Sequence, residues 1–254
     1  RQGIYTSIQV TPVVAGKGKP QRVDAEQQAL QPGIDDWSLE YMRKYNTPDR
    51  AVIYGTYQAY LKATPTTLSR HLVAASQGGF TLGVKLVRGA YLGSDPRHFI
   101  HDTKADTDSA YDSIAEALMK QQWSILLQPP SGDSTSSPFP NVALVLATHN
   151  RESVLKGRGL LSAGGIKTDV AFAQLQGMAD EVSCELLATS NEEANVEKPR
   201  AYKYLVWGTT GECMKYLLRR AHENKDAVQR TRSGRDAMRT ELLRRVKGLF
   251  GLGN

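Results

Sequence analysis

The octapeptide Lys85-Leu86-Val87-Arg88-Gly89-Ala90-Tyr91-Leu92 carries residue types suited to holding a flat, anionic ligand. It leaves an apolar, strand-like run, Phe80-Thr81-Leu82-Gly83-Val84. Alternation along a strand puts Lys85 and Val87 on one side and Leu86 and Arg88 on the other. Gly89 lets the main chain approach a neighbour closely, and the Tyr91 ring offers a stacking surface.

A second pattern lies near the end of the chain, at Tyr216-Leu217-Leu218-Arg219-Arg220-Ala221-His222-Glu223. On a helix, Tyr216, Arg219, Arg220 and Glu223 share one face, while Met214, Leu217, Leu218 and Ala221 form an adjacent apolar stripe. Two adjacent guanidiniums beside a tyrosine can clamp a carboxylate, because each presents a planar donor fork. The same pair also suits a solvated, solubilising face. Periodicity leaves both readings open.

The elements that must position these residues repeat regularly. A helix is predicted over Asp35–Tyr45, with Asp35 or Asp36 as its N-cap. Strands are predicted at 51–54, 80–87, 142–147, 169–175 and 202–207, each followed by a helix, at about 65–76, 104–121, 152–162, 177–188 and 211–224. A basic helix at about 235–249 closes the chain. Five βα repeats imply a parallel sheet with helical crossovers, as an open doubly wound sheet or a (β/α)₈ barrel. The run Val142-Ala143-Leu144-Val145-Leu146-Ala147 fits a strand buried on both faces. Polar residues gather at strand C-terminal ends: Gln58, Arg88, Thr148-His149-Asn150, Gln174 and Gln176. That is the active face of a barrel. No G-x-G-x-x-G follows a strand, which argues against a dinucleotide-binding Rossmann domain. Val10–Val14 is a candidate strand, and 128–140 and 189–198 read as loops.

Composition narrows the classes. The chain has 254 residues, 40% hydrophobic and 23% charged, a globular balance sufficient for one large domain. No apolar run approaches the roughly 20 residues of a transmembrane helix. Two cysteines, Cys184 and Cys213, make neither a disulfide framework nor a metal site. The net charge of +6 owes much to Arg230, Arg232, Arg235, Arg239, Arg244, Arg245 and Lys247. Without an aromatic platform or binding motif, this charge reads as the solvated face of a terminal helix rather than a nucleic-acid site. His71, His98, His101 and His222 have no partner pattern and read as surface residues.

Six segments in order carry a resemblance: Asp24-Ala25-Glu26-Gln27, Tyr57-Gln58-Ala59-Tyr60-Leu61-Lys62, the octapeptide at 85–92, Ala147-Thr148-His149-Asn150, Gln174-Leu175-Gln176-Gly177-Met178 and 216–224. Together, over about Val23 to Leu249, the chain resembles the proline dehydrogenase (proline oxidase) family, most closely its eukaryotic mitochondrial branch. The resemblance implies a distorted (β/α)₈ barrel that holds FAD, oxidises L-proline to Δ1-pyrroline-5-carboxylate and passes electrons to a quinone. It implies the matrix side of the inner mitochondrial membrane, with peripheral membrane contact, and neither metal nor nucleic acid. It also implies roles by position. Lys85 matches a basic residue beside flavin N5, where positive charge stabilises the reduced cofactor. Arg88, Gly89, Ala90 and Tyr91 match the cofactor wall. Gln58, Thr148, His149 and Gln174 match groups that hydrogen-bond the cofactor, and Glu223 matches a cofactor-side partner. Arg219 and Arg220 match the pair that grips the proline carboxylate, Tyr204 and Tyr216 the aromatics around the ring, and Asp24 an acidic site residue. Another flavin barrel, of the folate reductase type, or a degenerate non-catalytic paralogue would share part of this pattern.

The chain departs from that family at its start. Residues 1–22 do not resemble it, no targeting segment is visible, and Gly18, Lys19, Pro20, Gln21 and Arg22 break any strand before Asp24. The recognisable strands therefore correspond to about the third through eighth of a barrel. Two βα units, and the substrate-site lysine the family places there, are expected to be absent. The expectation is a truncated or mis-spliced gene, with two sheet edges unpaired and a polypeptide that alone folds poorly and is inactive.

Overall fold

The computed structural model describes residues 21–129, 138–188, 199–223, 235 and 238–246. The candidate strand at Val10–Val14, the expected loop at 189–198, most of the loop at 128–140 and much of the basic tail lie outside these residues. Six strands pair in chain order, every pair parallel: β1 Gln21–Val23, β2 Ile53–Gln58, β3 Leu82–Val87, β4 Val142–Ala147, β5 Asp169–Leu175 and β6 Arg200–Tyr204. Helices α1 Gln31–Tyr45, α2 Thr64–Gly78, α3 Lys104–Lys120, α4 Arg151–Ser162 and α5 Asp180–Ala188 make the crossovers. Helix α6, Thr210–Glu223, follows β6, and residues 238–246 are again helical.

The sheet curls until its two edge strands face each other. The Arg22 guanidinium of β1 lies 5.3 Å from the Tyr54 ring and 5.9 Å from the Tyr202 ring of β6. The Tyr204 hydroxyl reaches Asp24, just past β1. Among the described residues the result is a half-barrel with β1 and β6 as its edges. Its outer face packs Val84, Leu86, Leu144, Leu146 and Phe172 against helix residues such as Leu72, Ile114, Leu118 and Val154, all buried. The inner face is smaller-grained, with Tyr54, Ala143, Val145 and Ala171. Alternation along each strand thus separates a packed helix side from a hollow side.

Several boundaries differ from expectation. Helix α1 begins at Gln31, with Pro32 in its first turn, and Leu30 at the N-cap makes no side-chain cap. The fixed φ of proline opens the helix there. Asp35 is therefore internal, and its carboxylate accepts from Gln31 Nε2 at 2.7 Å. Residues 21–23 form a strand despite Pro20, because β1 is a three-residue edge strand that tolerates what a central one would not. Strand β6 ends at Tyr204, which leaves Leu205 and Trp207 beyond it and exposed. Helix α3 carries a full capping box between Thr103 and Asp106.

One buried amide ties the first layers together. Asn46 closes α1, and its Oδ1 accepts from the backbone N–H of Val52 at 2.9 Å and of Ile53 at 2.8 Å. Its Nδ2 donates to the carbonyls of Ile53 at 3.0 Å and Thr81 at 2.8 Å. All four valences of the side chain are used to join α1 to the starts of β2 and β3. His71, expected at the surface, is instead 1% exposed on α2, with its Nδ1 2.8 Å from the Tyr57 hydroxyl. The apolar face of α2 carries it against β2. His101 also departs from expectation: it is half-buried beside the β2–α2 connection, where its N–H donates to the Tyr60 carbonyl.

Asn46→Ala strands four buried backbone groups and is expected to cost about 3 kcal/mol, read as a lowered urea midpoint at unchanged slope. Burial, with Arg70 nearby, lowers the His71 pKa from 6.5 to about 4. The folded state therefore binds this proton less readily than the unfolded chain. Stability is complete above about 6.5 and drains as pH falls toward 4, by on the order of 3 kcal/mol. Asp35, raised by burial to about 6, opposes part of this loss. Paired urea titrations of wild type and His71→Gln isolate the imidazole, and only the wild type should show the added decline.

Candidate functional site at the strand ends

The inner face of β3 carries Lys85, level with Thr56 of β2 and Val145 of β4. Its side chain is 14% exposed, and Nζ donates to Asp24 Oδ1 at 2.5 Å. A mostly buried ammonium needs such a partner, since desolvation of an unpaired charge is prohibitive. The Tyr204 hydroxyl donates to Asp24 Oδ2 at 3.2 Å, and Lys85 Nζ lies 5.4 Å from the Tyr204 ring centroid. The Tyr216 ring of α6 stands 6.1 Å from that of Tyr204, and the Arg220 guanidinium lies 5.3 Å from the Tyr216 ring. Lys85, Asp24, Tyr204, Tyr216 and Arg220 thus form one continuous group from the hollow of the curl to α6. Arg219 and Glu223 belong to α6, but their side chains lie outside the described ones.

The loops above this group are bound together. Gln58, 2% exposed at the end of β2, accepts from the Ala90 N–H at 3.1 Å and donates to the Glu26 carbonyl at 3.2 Å. The Tyr91 hydroxyl donates to Glu26 Oε2 at 2.8 Å. Gly89 and Ala90 are exposed at the rim. Gly89 has φ +155°, and a Cβ there would fall 2.4 Å from the Tyr60 ring, so the close approach that needs glycine is to Tyr60.

Other expected site residues face elsewhere. Arg88 follows the outward parity of Leu86. Its Nε donates to Asp108 at 2.8 Å, Nη1 to Thr148 Oγ1 at 2.5 Å and Nη2 to Ser153 Oγ at 2.8 Å. Its guanidinium also lies 4.4 Å from the Tyr111 ring. Arg88 and Thr148 therefore brace α3, β4 and α4 from the helix side. Burial raises the Asp108 pKa, but hydrogen bonds from Lys104 and Arg88 outweigh it, and the net shift is downward. Gln174 likewise faces the helices, accepting from Ser183 of α5 at 3.0 Å. His149 accepts the Leu175 N–H on Nε2 at 3.0 Å, which joins the ends of β4 and β5. Between β3 and β6 the hollow side carries the half-buried Ala147 and Ala173. Sequence reasoning passed over Tyr60 and Asp95, a buried pair beside the rim at 2.6 Å. No spacing signal links residues so far apart.

A cavity of about 420 Å³ opens at the opposite end of the curl, lined by Arg22, Tyr54, Asp169, Arg200 and Tyr202 among others. It holds none of the strand-end groups. Among the described residues no cluster of His, Cys, Asp or Glu could hold a metal, and no helix is long and apolar enough to cross a membrane.

A curled parallel sheet, clad in helices and carrying polar groups at its strand C-terminal ends, defines a (β/α)-barrel-like protein, a class whose ligand sites lie at that face. The family model described as proline dehydrogenase matches residues 9–233, and the chain belongs to that family. The match extends into the segment 1–22 that the sequence reading set apart. The chain is 35% identical over 233 residues to the probable mitochondrial proline dehydrogenase of Schizosaccharomyces pombe, covering 89% of this chain and 46% of that protein. It is 32% identical over 231 residues to the hydroxyproline dehydrogenase of Mus musculus, covering 89% of this chain and 48% of that protein. The chain thus spans about half the length of these curated relatives. Among solved structures, a proline utilization A protein of Bradyrhizobium japonicum superposes with TM-score 0.62 at 20% identity, covering 83% of this chain and 20% of that one.

Arg88→Ala removes the shared partner of Asp108, Thr148 and Ser153. It is expected to cost about 2 kcal/mol in urea unfolding while leaving the Lys85–Asp24 group in place.

Proposed function

We propose that the strand-end group is the substrate and cofactor site of an FAD-dependent enzyme that oxidises L-proline to Δ1-pyrroline-5-carboxylate. The observation that carries this reading is the convergence of Lys85, Asp24 and Tyr204 in the hollow of the curl, continued by Tyr216 and Arg220 on α6. The residues fit a flavin. A planar ring system needs space, which Ala147 and Ala173 leave on the inner face, and a cation beside the position that gains charge, which Lys85 provides. FAD bound there would accept the two electrons released when proline forms its C=N bond.

The other steps belong to the protein. Arg220, with Arg219 one residue before it, suits the substrate carboxylate. Tyr204 and Tyr216 supply apolar ring surface and restrict water around a pyrrolidine. Proline must bind with its amine neutral, because nitrogen donates its lone pair as hydride departs from the adjacent ring carbon. The remaining N–H proton is then lost to solvent or a base. Asp24 is committed to Lys85 and Tyr204, so we assign it to positioning rather than proton transfer. A quinone acceptor, peripheral contact with the inner mitochondrial membrane and a matrix location complete the proposal; the mitochondrial designation of the fission yeast relative supports the compartment.

The test uses this chain extended to the length of its relatives. The purified protein should carry a yellow flavin that L-proline bleaches, and Arg219→Ala should raise KM for proline at least about tenfold with a smaller change in kcat. An unchanged KM would remove the carboxylate clamp. A protein that takes up no flavin would overturn the cofactor assignment.

A further inference from the structure

The rim of the site holds a buried acid that the proposed chemistry leaves unused. Asp95 is 7% exposed and lies in the loop that leaves β3. Its Oδ2 accepts from the Tyr60 hydroxyl at 2.6 Å, and its Oδ1 accepts from the Gln28 backbone N–H at 2.9 Å. Tyr60 lies in the β2–α2 connection and Gln28 in the β1–α1 connection. One carboxylate therefore joins three of the loops that build the mouth. Burial, reinforced by the hydrogen bond to Asp95, raises the Tyr60 hydroxyl pKa, in keeping with a phenol that stays protonated and donates.

These loops cross again nearby. Gln58 holds both the Glu26 carbonyl and the Ala90 N–H, and Tyr91 holds Glu26. The segment clamped in this way, residues 25–28, directly follows Asp24. Asp24 itself hangs from a strand of three residues with one sheet neighbour, β2. Such a strand leaves the carboxylate free to swing unless the segment after it is pinned.

We infer that Asp95 is a positioning residue: by pinning the β1–α1 loop to the β3–α3 loop through Gln28 and Tyr60, it fixes Asp24, and through Asp24 the ammonium of Lys85. The inference rests on the proposed function only for its consequence, the placement of a cation beside a flavin. The placement of Lys85 by Asp95 stands independently of any cofactor.

The measurement is lysine reactivity in the full 254-residue chain, treated briefly with an acylating reagent and quantified residue by residue by mass spectrometry. Hydrogen–deuterium exchange is followed on the same samples. Asp95→Asn leaves one oxygen where two donors need acceptors, so the clamp opens. Labelling of Lys85 should rise at least about fivefold relative to Lys104 and Lys120, which are paired elsewhere. Exchange should quicken across 25–28 and 89–91 while β3 and β4 stay protected. Tyr60→Phe, which removes one of the two donors, should give the same pattern at smaller amplitude. Unchanged Lys85 labelling in Asp95→Asn overturns the inference. So does faster exchange spread evenly over β2 to β4, because Asp95 would then act only on global stability. Failure of the length-extended protein to bind FAD would count against the flavin reading and leave the labelling result to decide the role of Asp95.

Discussion

An ammonium sealed inside a curled sheet has to be answered by a negative charge, and much of this structure follows from that requirement. Lys85 points into the hollow from β3, where its charge would be intolerable alone. Its answer, Asp24, comes from beyond β1, and the other oxygen of that carboxylate reaches Tyr204 on β6. One side chain from just beyond the β1 edge thereby touches Lys85 of the interior strand β3 and Tyr204 of the β6 edge. The curl, the hollow and the meeting of β1 with β6 are the geometry in which Lys85 is paired.

The alternation of β3 divides labour between the two faces of the sheet. Lys85 turns inward to the site, while Arg88, three residues on, turns outward and is spent on Asp108, Thr148 and Ser153. Both are cations of one octapeptide, yet one turns into the hollow to meet Asp24 and the other holds α3 and α4 to the sheet. The same division separates Tyr202 and Tyr204, which face inward, from Lys203, whose Nζ donates to the Met178 carbonyl on the helix side.

The sequence was informative where local periodicity decides the outcome. The parallel βα alternation and the opposite sides of β3 taken by Lys85 and Arg88 follow from strand and helix periods, whereas the shortened barrel and the choice of Lys85 as the site cation come from the resemblance. The partners of Arg88 lie 20 to 65 residues away, and no spacing announces them. The resemblance places Arg88 on a cofactor wall, and the structure gives it bracing partners on α3, β4 and α4. His71 looked unpartnered because Tyr57 meets it only when α2 lies on β2. Asn46 and Asp95 carry no motif: each is an ordinary polar residue until distant segments arrive beside it, Thr81 for Asn46 and Gln28 and Tyr60 for Asp95. Pro20 argued against a strand at 21–23, and only the edge position of β1 makes that strand permissible.

The Asp24–Tyr204 contact spans 180 residues of chain. The ladders from β2 to β6 each join consecutive βα units and need only modest loop closures, whereas this contact must wait until β6 exists and the sheet has bent. A polypeptide emerging from the ribosome would thus build its layered core early and complete the Lys85–Asp24–Tyr204 group last. Until then Lys85 sits in a half-formed, hydrated trough, which tolerates its charge better than the finished hollow would. Asp24, only 61 residues before Lys85, is already at hand to answer the charge when β6 closes over it.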